Sequence, residues 1–156
     1  MNIICYVDGG YDNKNKRNPY GSIKIYEENS GREIYYSGKT KFLLNDMLTE
    51  GDAFHLQNVL TSDAFRLSTG INSSNECEYA IMIELFKYLY SNKERFEAIT
   101  ICSDSKLVIN QLSGRWLVHS QTIKKYYILA KELLDGLKGV TLIWVSRNTM
   151  VRILGH

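Results

Sequence analysis

Three carboxylates in this chain lie at the ends of predicted secondary-structure elements. Asp104 follows a buried apolar strand at 98–103 and directly precedes an amphipathic helix. Asp8 follows the apolar run 3–7 of the first strand, and Glu78 lies in the first turn of a later helix. A charge at the carboxyl end of a central strand stands in the crevice where open α/β sheets bind ligands. These positions predict that the three acids face one site.

Acids grouped in this way suit divalent-cation chemistry. Hydrolysis of a phosphodiester near neutral pH needs an activated water, a stabilised leaving alkoxide and neutralised phosphate charge, which two Mg²⁺ ions about 4 Å apart supply together. Mg²⁺ prefers oxygen ligands and keeps several waters, so a few carboxylates suffice. Asp8, central in the sheet, is best placed to bridge both ions, with Glu78 and Asp104 completing their ligand shells. A purely structural role is the main alternative for Glu78, because the first turn of any helix favours acids.

The hydrophobic pattern indicates which elements position these acids. Strands are predicted at 2–8, 21–27, 33–40, 98–103 and 140–145, and helices at 74–91, 105–112, 120–135 and 148–154. A hairpin followed by two strand–helix alternations predicts an α/β protein with a mixed five-stranded sheet flanked by helices.

Residues 41–71 do not fit this alternation. They contain a plausible helix at 52–60, which includes His55. Two interpretations stay open for the segment. It is either a packed insertion that covers one sheet edge, or an element that faces substrate or a partner, since it emerges beside the crevice.

Composition indicates the compartment more clearly than the partner. The chain has 156 residues and no run of about 18 apolar residues, so it predicts one domain without a membrane span. No secretory signal is visible, and Cys5, Cys77 and Cys102 form no pair motif. We therefore expect a cytoplasmic protein whose cysteines are small buried apolar residues rather than metal ligands or disulfides.

The net charge of +2 is too small to indicate nucleic acid by itself, so local clusters matter more. One cluster is the basic loop at 13–17, and a second is formed by Lys124, Lys125 and Lys131 on the last long helix. Each cluster either follows phosphates or is an ordinary solvated face. His119, in the link before that helix, is expected to be solvated.

Five segments of the chain, in order, resemble the ribonuclease H type 1 family. They are Tyr6-Val7-Asp8-Gly9-Gly10, Asn18-Pro19-Tyr20-Gly21, Ser73-Ser74-Asn75-Glu76-Cys77-Glu78-Tyr79, Ser103-Asp104-Ser105 running on to Ser113-Gly114, and Trp144-Val145-Ser146-Arg147. The third is similar to the family's Thr-Asn-Asn-x-x-Glu-Tyr. A lone Asp-Gly-Gly carries no weight, but the ordered set spans nearly the whole chain. The resemblance implies a ribonuclease H-like fold for a single domain, 1–156, with an insertion at about 41–71.

The same resemblance implies an endonuclease that hydrolyses the RNA strand of RNA/DNA hybrids with two Mg²⁺ ions, for which Mn²⁺ can substitute. Asp8, Glu78 and Asp104 would be its catalytic metal ligands. Enzymes of this family bind the hybrid by its backbone shape and test one strand for 2′-hydroxyls. The residues implied to contact substrate are Gly9, Gly10, Ser74, Asn75 and, for a phosphate, Lys106. Trp116 would either stack on a DNA sugar or be a core or helix-packing residue.

The chain departs from the family in two places. Ser74 replaces the usual Asn, which removes one minor-groove hydrogen bond. The fourth active-site Asp, expected a few residues after the Val-x-Arg motif, falls on Leu154, and 148–156 contains no carboxylate side chain. Three outcomes stay open: the His156 imidazole serves as ligand or proton shuttle, a terminal carboxylate of His156 replaces the Asp, or the site binds metal poorly. We expect His156 to have a catalytic role.

Two other functions compete with the leading one. The first is a non-catalytic hybrid- or RNA-binding domain that kept the fold and lost the fourth acid. The second is another nuclease, for example an exonuclease, on the same fold, since fold does not determine function. No obligate protein partner is indicated by the sequence.

Overall fold

The computed structural model of the chain describes residues 1–11, 19–41 and 73–155. Its five strands are β1 (Asn2–Tyr11), β2 (Pro19–Glu27), β3 (Glu33–Lys41), β4 (Ala98–Ser103) and β5 (Val140–Trp144). Its four α-helices are α1 (Ser74–Ser91), α2 (Lys106–Leu112), α3 (Gln121–Asp135) and α4 (Arg147–Leu154). Nearly all bounds lie within one residue of those predicted, which confirms the α/β fold class.

The strands form one mixed sheet in the order β3-β2-β1-β4-β5. β1, β2 and β3 pair antiparallel, whereas β4 and β5 run parallel to β1. The hairpin between β2 and β3 turns at 28–31. Gly31 in this turn has a φ of 69°, a conformation that residues with a side chain rarely adopt. Because β1 is the third of the five strands in this order, its Asp8 stands at the centre of the sheet.

β1 is longer than predicted. The apolar run suggested an end near Asp8, but the strand continues through Gly9 and Gly10 to Tyr11, which pairs with Pro19 of β2. A long hairpin partner extends the backbone ladder past the point where apolar alternation stops. Asp8 therefore lies inside the strand. From Asp8 to Tyr11 the backbone of β1 stays paired with β2.

The apolar core lies between one face of the sheet and helices α1, α2 and α3. The large, fully buried side chains Tyr79 and Phe86 of α1 and Tyr126 of α3 occupy it together with Ile3 and Ile101 of the sheet. Ser73 is the N-cap of helix α1, and its hydroxyl accepts a hydrogen bond from the Glu76 amide at 3.2 Å, as in a capping box. This cap fixes the register of the helix that carries Glu78.

Helix α4 packs on the opposite face of the sheet. Successive side chains of a strand point to opposite faces, so Tyr6 and Asp8 face away from the main core. Lys24 of β2, the register partner of Tyr6, donates a hydrogen bond from Nζ to the Ile153 carbonyl of α4 at 3.2 Å. Helix α4 thus lies over the face that carries Asp8.

Several sequence-based expectations are settled by burial. Cys5, Cys77 and Cys102 are buried and unpaired, as predicted. His119 is exposed, also as predicted. The interpretation of Lys125 as part of a solvated basic face was wrong: it is 6% exposed on the side of α3 toward the core, and burial lowers the pKa of its amine.

Other predictions concern residues outside the described ones: the basic loop at 13–17, His55, His156 and the insertion apart from Lys41, which ends β3. None of the four described helices combines the length and the apolar character needed to cross a bilayer.

Candidate metal centre

The structure brings Asp8, Glu78 and Asp104 together at one end of the sheet. Each offers one carboxylate oxygen, and these atoms all lie within 4.8 Å of one another. Asp8 lies in β1 and Asp104 directly follows β4, its parallel neighbour, so both emerge at the same edge. Glu78 reaches them from the first turns of α1, which packs on β1.

Glu78 is held in place by the backbone of β1. The Gly9 amide donates a hydrogen bond to Glu78 Oε2 at 3.1 Å. Gly9 itself lies so close to α1 that a methyl group there would be 2.6 Å from the Cys77 carbonyl carbon. The absence of a side chain at Gly9 therefore allows the helix to approach the strand and brings Glu78 beside Asp8.

Asp104 is held by contacts with Trp144 and Arg147, and the residue after it caps a helix. Its backbone carbonyl accepts a hydrogen bond from the indole N–H of Trp144 at 3.1 Å. Its carboxylate forms an ion pair with Arg147 at 3.6 Å, in which the Asp104 side chain is 8% exposed. The next residue, Ser105, caps helix α2 by accepting from the Val108 amide at 3.2 Å.

The electrostatics of the cluster favour either a proton or a cation. Asp8 is 1% exposed. Burial, and then the negative charge of Asp104, raise the pKa of Asp8 from 3.8 to about 7, while the Arg147 charge acts in the opposite direction. Burial, followed by the charges of Asp8 and Asp104, also raises the pKa of Glu78 well above its ordinary value. Three ionised carboxylates at this distance repel one another unless positive charge is added.

The donor set fits a divalent cation that prefers oxygen. All three ligand atoms are carboxylate oxygens, and no cysteine or histidine of the described residues belongs to the cluster. Hard cations such as Mg²⁺ and Mn²⁺ take such ligands, whereas zinc and copper sites typically include nitrogen or sulfur. The residues that would hold the metal are therefore Asp8, Glu78 and Asp104.

The predicted substrate-binding residues lie close in sequence to these acids but differ in accessibility. Ser74 and Asn75 are exposed at the start of α1, and Lys106 is exposed at the start of α2. Gly9 and Gly10 are buried. The Gly9 amide donates its hydrogen bond to Glu78. Gly9 therefore positions a candidate metal ligand, a role that the sequence did not indicate.

Leu154 stands where the family resemblance predicts the fourth acid. Leu154 is 6% exposed at the end of α4. Since 147–155 contains no acidic residue, α4 adds no carboxylate side chain to the site over its described length. His156, proposed from the sequence as a substitute, lies outside the described residues.

Three further residues border the site, and the sequence did not assign them a place there. They are Arg147, Trp144 and Tyr20. Tyr20 pairs with Gly10 across the β1–β2 ladder, and the pKa of its phenol is raised by burial and then by the nearby Asp8 charge. All three lie in the segments that carry the family motifs, so the motifs themselves were the available signal.

A groove of about 390 Å³ adjoins the start of α1. It is lined by Asn75, Leu107, Gln111, Trp116, Leu117, His119, Ser120 and Ile123. Trp116 is 47% exposed and Leu117 78% exposed, so Trp116 is not a core residue. An exposed tryptophan beside an apolar groove offers a surface for a sugar or a base.

No protein-family model matches the chain. An uncharacterized protein, YpeP of Bacillus subtilis (strain 168), is 28% identical over 137 residues, which are 87% of this chain. The chain spans about half of that protein's length, 48%. Because that relative is itself uncharacterized, the match gives no information about activity.

Solved structures resemble this one over nearly its whole length. The ribonuclease H1 of the halophilic archaeon Halobacterium salinarum NRC-1 has a TM-score of 0.70 at 20% identity, covering 97% of this chain and 91% of its own. The N-terminal ribonuclease H domain of Rv2228c from Mycobacterium tuberculosis has a TM-score of 0.67 at 19% identity, covering 99% and 95%. LC11 ribonuclease H1, solved with an RNA/DNA hybrid, has a TM-score of 0.63 at 15% identity, covering 96% and 89%. The chain has the ribonuclease H fold.

Proposed function

We propose that this protein is a divalent-metal-dependent ribonuclease H, an endonuclease that cuts the RNA strand of RNA/DNA hybrids. The observation that carries the proposal is the convergence of Asp8, Glu78 and Asp104, whose oxygens lie within 4.8 Å of one another. Structures with the same fold are ribonucleases H, and one of them was solved with an RNA/DNA hybrid. The metal would be Mg²⁺, with Mn²⁺ as a substitute.

The three carboxylates form a site with a high negative charge density, which would attract divalent cations. When bound, two cations would activate water, neutralise the phosphate and stabilise the leaving oxygen. Asp8, in the central strand and almost fully buried, would hold the metal together with Glu78 and Asp104. The Gly9 amide orients Glu78, and Arg147 and Trp144 orient Asp104 through its side chain and backbone. These contacts hold the ligands before substrate arrives.

Substrate recognition is assigned to the exposed residues beside the acids. Ser74 and Asn75 in the first turn of α1 would contact 2′-hydroxyls, which distinguish RNA from DNA. Gly10 is buried against the Tyr20 ring, so it is not among these exposed contacts. Lys106 would supply a positive charge to a phosphate.

Cleavage of end-labelled duplexes tests the proposal. Wild-type protein with Mg²⁺ should cut the RNA of an RNA/DNA hybrid at internal positions and leave duplex DNA intact, and EDTA should stop the reaction. Asp104→Asn should lower the rate by at least about 100-fold, since it removes a metal ligand. The matched control is Glu94→Gln, an exposed acid in the short 3₁₀ turn Lys93–Arg95, which should cut at the wild-type rate.

A second candidate function is non-catalytic binding of hybrid or RNA. Leu154 favours it, because the site as described has three carboxylates where the family usually has four. Hybrid that is bound but uncut with either Mg²⁺ or Mn²⁺ would support this candidate over the first. Cuts that progress only from an end would instead indicate an exonuclease.

A further inference from the structure

Trp144 contacts three residues of the segment around Asp104, namely Ser103, Asp104 and Lys106. It is the last residue of β5 and pairs with Ser103 of β4. Its indole N–H donates to the Asp104 carbonyl at 3.1 Å, and the Lys106 ammonium lies 4.8 Å from the centre of its ring. One side chain thus links a candidate metal ligand to a lysine two residues further along the chain.

Burial in the core does not account for this tryptophan. Trp144 is 44% exposed on an edge strand, next to Ile143, which is 41% exposed. An edge strand is usually protected by charged side chains or proline, and exposed apolar side chains that lie next to each other can mark a contact surface. Lys106 adds a charge to this surface, and among the described residues no carboxylate forms an ion pair with it.

We propose that Trp144 is a positioning residue that holds the Lys106 ammonium beside the metal centre, where it binds a backbone phosphate of the nucleic acid. Attraction between an ammonium and the face of an indole limits the freedom of a long side chain at low cost, while the ammonium keeps donors for a phosphate. The inference rests on the proposed function and adds to it the residue that positions the phosphate-binding lysine.

The phosphate bound here is a neighbour of the scissile one. β5 lies two strands from β1, which at ~4.8 Å per strand is roughly 10 Å from the strand that carries Asp8. The contact therefore extends the footprint of the strand past the metals on the β5 side.

The test measures hybrid binding against salt concentration, in an Asp8→Asn background that prevents cleavage. Lys106→Gln should lower the slope of log Kd against log salt by about 0.7–0.9, the value for one lost phosphate contact. Trp144→Leu should lower the slope by a similar amount although it removes no charge. The double variant should lose no more than either single one, because the two residues act as a unit.

Two controls separate positioning from misfolding. Lys138→Gln removes an exposed lysine just before the other end of β5 and should leave the slope unchanged. Trp144→Phe keeps a ring for the ammonium and loses only the indole N–H, so it should keep most of the slope that Trp144→Leu loses. Thermal unfolding of each variant confirms that it is folded, and Trp144→Phe provides the measurement if Trp144→Leu is not.

The outcomes distinguish this inference from the proposed function. A wild-type slope in Trp144→Leu, with a reduced slope in Lys106→Gln, would show that Lys106 binds phosphate without Trp144 and would overturn the inference alone. Unchanged slopes in both variants would do the same. Failure of the parent protein to bind hybrid would refute the proposed function, and the inference with it. Reduced and non-additive slopes would establish the pair.

Discussion

The backbone amide of Gly9 donates a hydrogen bond to the Glu78 carboxylate at 3.1 Å, across 69 residues of sequence. The same glycine allows α1 to approach β1, since a methyl group at Gly9 would overlap the Cys77 carbonyl. Close packing and ligand orientation thus depend on one residue without a side chain. The position of Glu78 relative to Asp8 is a consequence of how tightly a helix packs on a strand.

We predict that Gly9→Ala impairs metal binding more than its effect on stability would suggest. The added methyl group must push α1 away from β1, which moves Glu78 and removes its hydrogen bond. Mg²⁺ affinity, measured by calorimetry, should fall by at least about 10-fold, the scale found when groups that orient metal ligands are lost. Gly31→Ala is the control, because it strains a left-handed turn by about 1–2 kcal/mol far from the site. Equal Mg²⁺ affinity in both variants would refute this account of Gly9.

The stability of the metal-free protein should fall as pH rises from about 4 to 7. In this range folded Asp8, with its pKa raised from 3.8 to about 7, holds a proton that the unfolded chain has lost. The free energy of unfolding therefore decreases with pH, by at most about 1.4 kcal/mol per pH unit for this group. Denaturant unfolding in EDTA, with Asp8→Asn as the reference, measures the difference. Mg²⁺ should stabilise wild-type protein more at pH 8 than at pH 5, and a pH-independent difference would contradict the prediction.

Replacing Arg147 should shift metal binding to higher pH. The Arg147 charge lowers the pKa of Asp8 against the effects of burial and Asp104, so Arg147→Gln should raise that pKa further. Because the metal binds the ionised carboxylate, the midpoint of Mg²⁺ affinity against pH should move upward. Arg152→Gln, an exposed arginine in the last turn of the same helix, is the matched control and should leave the midpoint in place.

Ser74→Asn should strengthen hybrid binding, since it restores the side chain that the family usually has there. One added hydrogen bond of about 0.5–1.5 kcal/mol corresponds to roughly 2–10-fold in Kd. Ser74 is exposed in the first turn of α1, so the substitution should not affect folding. Ser91→Asn, at the exposed last residue of the same helix, controls for the change of residue type. Affinity for duplex DNA should not increase, and a parallel increase there would exclude a 2′-hydroxyl contact.

The local sequence was sufficient to predict the elements and their order. Apolar alternation and helical spacing place nearly every strand and helix end within a residue or so of its observed position, and the ordered motifs indicated the ribonuclease H fold. Three carboxylates were also recognisable, because Asp8, Glu78 and Asp104 stand beside strong strand and helix patterns. These features depend on neighbours in the chain, which is why a sequence can show them.

Contacts between residues far apart in sequence were decided only by the tertiary structure. β1 passes the expected end at Asp8 because β2 continues to pair with it, and Lys125 is buried because α3 packs against α1 on that side. The links from Gly9 to Glu78 and from Trp144 to Asp104 join residues 69 and 40 positions apart. Such contacts depend on how elements pack and on which backbone groups remain available for bonding. The type and spacing of nearby residues carry no information about either.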